Sequence, residues 1–166
     1  TIYSTDDIRS IAELCHSRGL KLHMDGARFA NALVTMGCSP ADASWRLGLD
    51  VLSFGATKNG AMAAEAVVFF DKAVAADFEF RRKRAGQLWS KMRFLSAQLE
   101  AYLDDDLWLR NARNANMMAT RLAVAFGNLP GAKILHATQA NELFVILPQE
   151  VREGLLNKGF RFYQWM

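Results

Sequence analysis

The apolar positions Ile8, Ile11, Ala12, Leu14 and Cys15 recur at helical spacing behind Ser4-Thr5-Asp6-Asp7, which offers a capping hydroxyl and first-turn acids. Gly19 supplies the stop. Leu20 to Met24 then alternates apolar and polar residues, predicting a short strand, and Ala27 to Met36 returns to helical spacing. Pro40 predicts the start of another short helix running through Leu47. Val51-Leu52-Ser53-Phe54 predicts a second strand. Ala66-Val67-Val68-Phe69-Phe70 predicts a third, apolar enough for burial on both faces. Helices alternating with short buried strands predict a layered α/β core around a mostly parallel sheet.

From Lys72 the texture changes to a long helical stretch reaching about Asn128, with breaks predicted at Ala85-Gly86 and Asp104-Asp105-Asp106. After Pro130-Gly131 the pattern predicts strands over Lys133 to His136 and Glu142 to Leu147, a helix over Gln149 to Lys158, and a strand over Phe160 to Trp165. The expected division is 1–103, part of a large domain with its connecting helix, and 104–166, part of a small C-terminal α/β subdomain. Thr1 opens the chain on a helix entrance and Met166 closes it on a strand in progress, so both ends read as interrupted.

Composition narrows the classes. At 166 residues, 51% hydrophobic and 22% charged, the chain has ample material for a globular core. A formal charge of +3 is too mild to predict nucleic-acid binding. No apolar run approaches the roughly 20 residues that span a bilayer. Cys15 and Cys38 fit no C-x-x-C spacing, which predicts reduced thiols in a cytoplasmic setting. His16, His23 and His136 are too scattered for a zinc motif, so no metal is expected.

Two strings carry candidate chemistry. His23-Met24-Asp25-Gly26-Ala27-Arg28 follows the first predicted strand, and Ser53-Phe54-Gly55-Ala56-Thr57-Lys58-Asn59-Gly60 follows the second. Ligand crevices in open parallel sheets lie beyond the carboxyl ends of strands, so this topology predicts an acid, an arginine and a lysine on one rim. These residue types suit pyridoxal 5'-phosphate (PLP). A lysine amine forms an imine with its aldehyde, a carboxylate keeps its ring nitrogen protonated, and a guanidinium fork fits the carboxylate of an amino acid. The bland alternatives are a solvated surface lysine at 58 and, at Asp25 and Arg28, a helix cap beside a surface cation.

The string LHMDGARFANAL, with the lysine of SFGATKNG 33 residues after its aspartate, resembles the threonine aldolase group of PLP enzymes of fold type I. EAVVFFD and AGQLWSKMRFL extend the likeness over nearly the whole chain. The resemblance implies an aspartate-aminotransferase-like large domain with a small C-terminal subdomain. It implies retro-aldol cleavage of a β-hydroxy-α-amino acid, threonine to glycine and acetaldehyde, in a homodimer or homotetramer. Other PLP lyases of this fold, such as a phenylserine aldolase or a β-eliminating enzyme, stay open, as does an inactive fragment that associates with a full-length partner.

By the same resemblance Lys58 is the Schiff-base lysine, Asp25 the partner of the ring nitrogen, Arg28 a ligand of the substrate carboxylate, and Thr57 a further cofactor contact. Lys83 and Arg93 resemble basic residues near the family's active site; His23 reads as a packing residue ahead of an acid/base group, and most of Arg81 to Arg84 as a wet helix face. The resemblance also implies a phosphate-binding loop and a ring-stacking group before Thr1, and a second substrate arginine after Met166. The expectation for residues 1–166 alone is therefore little or no activity, because placing the cofactor supplies much of the catalysis.

Overall fold

The computed structural model describes residues 2–165; Thr1 and Met166, where the sequence reads as interrupted, lie outside them. Helix α1 (Thr5–Ser17) starts as predicted: Ser4 accepts from the Asp7 N–H while Asp7 accepts from the Ser4 N–H, a reciprocal capping box. Strand β1 (His23–Gly26) leads into helix α2 (Phe29–Met36), β2 (Val51–Gly55) and β3 (Glu65–Phe69). Helices α3 (Phe78–Arg84), α4 (Arg93–Leu103) and α5 (Leu107–Gly127) follow, then the two-residue strands β4 (Lys133–Ile134) and β5 (Val145–Ile146) and helix α6 (Gln149–Asn157).

The sheet is mixed rather than mostly parallel, in the order β1-β2-β3. Strands β1 and β2 run parallel, and β2 and β3 run antiparallel. Connection length explains both. A parallel partner needs a crossover of a dozen or more residues, which the α2 segment provides between Gly26 and Val51. Only residues 56–64 separate β2 from β3, enough for a return but not for a crossover. β3 also departs from the predicted two-sided burial: Val67 and Val68 are exposed. Apolar composition marks a residue as fit for burial, but a cover must come from elsewhere in the fold.

Other bounds shift as well. The first strand lies at 23–26 instead of 20–24. The helix expected from Pro40 is a run of turns ending in a single 3-10 turn at Trp45–Leu47. The predicted breaks hold: α3 ends at Arg84, and Asp105 and Asp106 take left-handed φ of 46° and 53° between α4 and α5. The two strands after residue 130 shrink to two residues each, and Phe160 to Trp165 forms no strand among the described residues.

One core cluster joins the sheet to the helices. Leu52 and Phe54 project from β2 onto Phe29, Ala30 and Leu33 of α2, with Tyr102 of α4 and Trp108 and Ala112 of α5 in the same cluster. Phe54 meets Phe29 and Trp108 edge-on, with ring centroids 6.3 and 5.7 Å away, an arrangement that adds to simple burial. Residue 103 lies between two members of this cluster, Tyr102 and Trp108. Asn31 of α2, 1% exposed, donates through Nδ2 to Asn116 Oδ1 of α5, and Asn116 Nδ2 donates to the Asn31 backbone carbonyl, both at 3.0 Å, so these buried groups are paired.

At the amino ends of the strands, Asp50 is the knot. Its carboxylate, 7% exposed, accepts from the Leu22 N–H at 2.8 Å and Lys21 Nζ at 3.1 Å, and lies 2.8 Å from His16 Nε2. Burial raises its pKa, but the Leu22 N–H and the His16 and Lys21 side chains outweigh burial and hold it below the ordinary carboxylate range.

Candidate active site at the carboxyl edge of the sheet

Side chains alternate along a strand, so His23 and Asp25 share a face of β1, and Ser53, the register partner of Asp25, lies beside them. Leu52 and Phe54 take the opposite, buried face. His23 Nε2 lies 2.8 Å from Ser53 Oγ, a cross-strand tie that suits the packing reading of this histidine. Asp25 is exposed and accepts from the Ala27 N–H at 3.0 Å through Oδ1, which turns the chain out of the strand.

Two glycines let the exits from β1 and β2 touch. A Cβ on Gly26 would stand 2.5 Å from the Ser53 carbonyl oxygen, and one on Gly55 would stand 2.7 Å from the Ala27 Cα. The turn that leaves Asp25 therefore presses backbone to backbone against the turn that leads to Lys58.

Lys58 occupies a 3-10 turn, Thr57–Asn59. Its neighbours are tied down. The Thr57 N–H donates to Glu65 Oε1 at 3.3 Å, and the Thr57 hydroxyl makes a long 3.5 Å contact to the Ala64 carbonyl. Asn59 is buried; its Nδ2 donates to the Tyr102 hydroxyl at 2.6 Å and to the Trp108 carbonyl at 2.8 Å, and its own carbonyl accepts from Asn111 Nδ2 at 2.9 Å. Burial pushes the Tyr102 phenol pKa up, against the lowering effect of the Asn59 bond. Gly60, at φ +124°, lies against Asn111 Nδ2 where a Cβ would clash at 2.7 Å. Lys58 itself is exposed and, among the described residues, its ammonium has no hydrogen bond or ion pair. The loop is fixed while the amine is left available.

Beside this edge lies a cavity of about 730 Å³, lined by His23, Asp25 and Arg28 on one side and by His136, Gln139 and Glu142 on the other. Arg28 sits at the N-cap of α2; its Nη2 pairs with Glu142, while its Nε is buried without a partner. The structure thus gathers His23, Asp25 and Arg28 around one cavity, whereas Thr57 and Lys58 are off its lining, on the turn after β2 that meets the Asp25 turn at Gly55 and Ala27. Lys83 and Arg93 are off the lining: Lys83 is exposed on α3, and Arg93 lies 4.9 Å over the Phe94 ring at the start of α4.

Sequence reasoning missed Glu142, Glu65 and Asn59. Asn59 had a signal, a polar residue wedged between the lysine and a glycine. Glu142 had none, because its contact with Arg28 spans 114 positions.

This arrangement matches known proteins in sequence and in shape. Over all 166 residues the chain is 45% identical to the low specificity L-threonine aldolase of Pseudomonas sp. (strain NCIMB 10558) and 47% identical to that of Pseudomonas aeruginosa. It spans about half the length of each, 48%. The threonine aldolase structure from Leishmania major superposes on 97% of the chain with a TM-score of 0.87 at 29% identity, and the chain covers 46% of it. The model of the beta-eliminating lyase family matches residues 1–149, and the chain belongs to that family.

Proposed function

We propose that this chain carries the catalytic lysine and the substrate arginine of a PLP-dependent lyase that cleaves threonine and related β-hydroxy-α-amino acids into glycine and an aldehyde. One observation supports the reading above the rest: the Gly55–Ala27 backbone contact, which brings the Asp25 turn and the Lys58 turn together at the carboxyl edge of the sheet. The relatives named as threonine aldolases point the same way. In this reading residues 1–103 belong to the cofactor-binding domain and 104–166 to the smaller subdomain.

The residues present fit the cofactor by their chemistry. Lys58 offers an exposed amine on an anchored loop. Asp25 has Oδ1 committed to the Ala27 N–H, which orients the carboxylate and leaves Oδ2 to accept a proton-bearing ring nitrogen. The buried, unpartnered Nε of Arg28 marks a guanidinium with capacity for another acceptor. When bound, PLP supplies the electron sink that draws off the electron pair of the breaking Cα–Cβ bond.

Lys58 would hold the cofactor through its amine. Arg28 binds the substrate carboxylate and fixes the orientation of the bonds at Cα. Asp25 keeps the proton on the ring nitrogen, without which the sink is weak. His23, tied to Ser53, supports the Asp25 face of β1. Thr57 keeps its N–H on Glu65 and so steadies the lysine turn.

In the holoenzyme, Lys58→Ala should remove both the visible absorbance of the bound cofactor and the release of glycine from threonine. A variant that keeps the band would rule out Lys58 as the attachment point. Comparing products from threonine, phenylserine and cysteine-like substrates separates the aldolase from the β-eliminating alternative.

A further inference from the structure

The fork of Arg28 is already half filled. The Nε–H and Nη2 groups of a guanidinium lie on one edge and accept a carboxylate two teeth at a time. Here Glu142 reaches Nη2 through a single oxygen, Oε1, and Nε stays buried with no acceptor. Among the described residues, two further buried side-chain atoms lack partners, the Thr138 hydroxyl and Asn141 Oδ1, in the same segment as Glu142. That segment forms one wall of the cavity and is tied to α2, where the Thr35 hydroxyl donates to the Gln139 carbonyl at 2.6 Å. The buried Nε of Arg28, which lines the cavity opposite this wall, has capacity for a further acceptor.

We propose that Glu142 is a built-in competitor for Arg28, a carboxylate that holds one tooth of the fork until the α-carboxylate of an amino acid takes both. The proposal rests on the role given to Arg28 above and adds what that reading lacks, a residue that sets the threshold for substrate entry. Three properties fit such a gate. The pair is partly open to solvent, with side-chain exposures of 35% for Arg28 and 50% for Glu142, so Glu142 has room to swing away. Ion pairs so exposed are weak enough to exchange. The exchange is also selective: a neutral ligand gains nothing by displacing Glu142, whereas a free carboxylate replaces one bond with two. No charge is stranded, since Glu142 returns to water as the ligand enters.

The test has two arms, both comparing the wild type with Glu142→Gln and Glu142→Ala. In the cofactor-free protein, the Arg28 Nε–H resonance is followed by NMR while acetate is added. In the holoenzyme, KM for threonine is measured at low and high salt. Removing the competitor should tighten acetate binding at Arg28 about three- to fivefold and lower KM by a similar factor, within the range of exposed ion pairs. The gain should shrink at high salt, because screening already weakens the pair. Equal acetate affinity in all three proteins, or weaker binding in the variants, would overturn the gate. Tighter acetate binding with no cleavage of threonine would keep the gate and overturn the aldolase reading. Cleavage of threonine with unchanged acetate affinity and KM would do the reverse. In Arg28→Ala, which lacks that resonance, acetate should leave the backbone amide signals of residues 25–29 and 139–142 in place, and shifts that survive there would place the anion elsewhere and sink the proposal.

Discussion

Asp50 and Asp25 sit at opposite ends of the parallel strand pair and live under opposite conditions. Asp50 is buried and satisfied by a backbone N–H and two basic side chains. Asp25 is exposed, accepts one local N–H and faces a cavity. The same contrast separates how the ends are joined. At the amino end a side chain stitches β1 to β2, while at the carboxyl end the strands close up because Gly26 and Gly55 have no side chains. A polar group whose bonds are all met inside the fold holds the fold. One left with spare capacity beside a cavity is free to meet a ligand.

The carboxyl end should be the more sensitive to added bulk. Gly26→Ala puts a Cβ 2.5 Å from the Ser53 carbonyl and 2.6 Å from Leu52 Cδ1. Backbone cannot yield as a side chain can, so the expected loss is about 3 kcal/mol, the upper part of the range for overpacking. Urea unfolding measures it, and a midpoint close to the wild type would show that the two strand exits can move apart at little cost.

Truncating the two acids sharpens the contrast. Asp50→Ala strips a buried acceptor from the Leu22 N–H and should cost about 2 kcal/mol. Asp25→Ala removes an exposed side chain and should stay within about 0.5 kcal/mol, while sharply weakening cofactor function. Equal destabilisation by the two would erase the division between a structural and a functional end.

Acid gives a gentler version of the same comparison. The folded-state pKa of Asp50 is depressed, so the unfolded chain binds the proton more readily between the two values. The stability from Asp50 is fully present above its ordinary unfolded value of about 4 and drains away as pH falls through the lower folded value. Asp50→Asn should flatten this part of the stability profile, read as urea midpoints from pH 5 down to pH 2. A variant profile parallel to the wild type would remove Asp50 from the acid response.

How much of this was legible beforehand follows from the range of each interaction. Ser4 to Asp7 spans one helical turn, so the capping box could be read directly. The Asp25 and Lys58 strings each lie next to a strand, so placing them on one rim needed only the parallel pairing of β1 with β2. Strand β3 differs from its predicted two-sided burial because apolar residues show only fitness for a cover, and whether one exists depends on distant segments. The strands after residue 130 were predicted too long for a similar reason: β4 and β5 have only each other to pair with. The Arg28–Glu142 and Asn59–Tyr102 contacts join positions 114 and 43 apart, and nothing local marks Glu142 or Tyr102 as the distant partner.

The smallest effect expected sits next to Lys58. Asn59 and Lys58 are adjacent, yet one is buried with its amide and carbonyl engaged and the other is exposed with no partner among the described residues, which repeats the Asp50–Asp25 contrast within two residues. Tyr102→Phe deletes one of the two acceptors of Asn59 Nδ2 and leaves the Trp108 carbonyl in place. No amide is orphaned outright, so the loss should be only about 0.5–1 kcal/mol by urea unfolding. The informative readout is the midpoint pH of the cofactor band in the holoenzyme. If α4 sets the pose of the lysine turn through this hydroxyl, the midpoint moves with the substitution. If the hydroxyl merely fills the core, stability falls, the midpoint stays, and Trp108 and Asn111 of α5, with Glu65 on Thr57, hold the turn without α4.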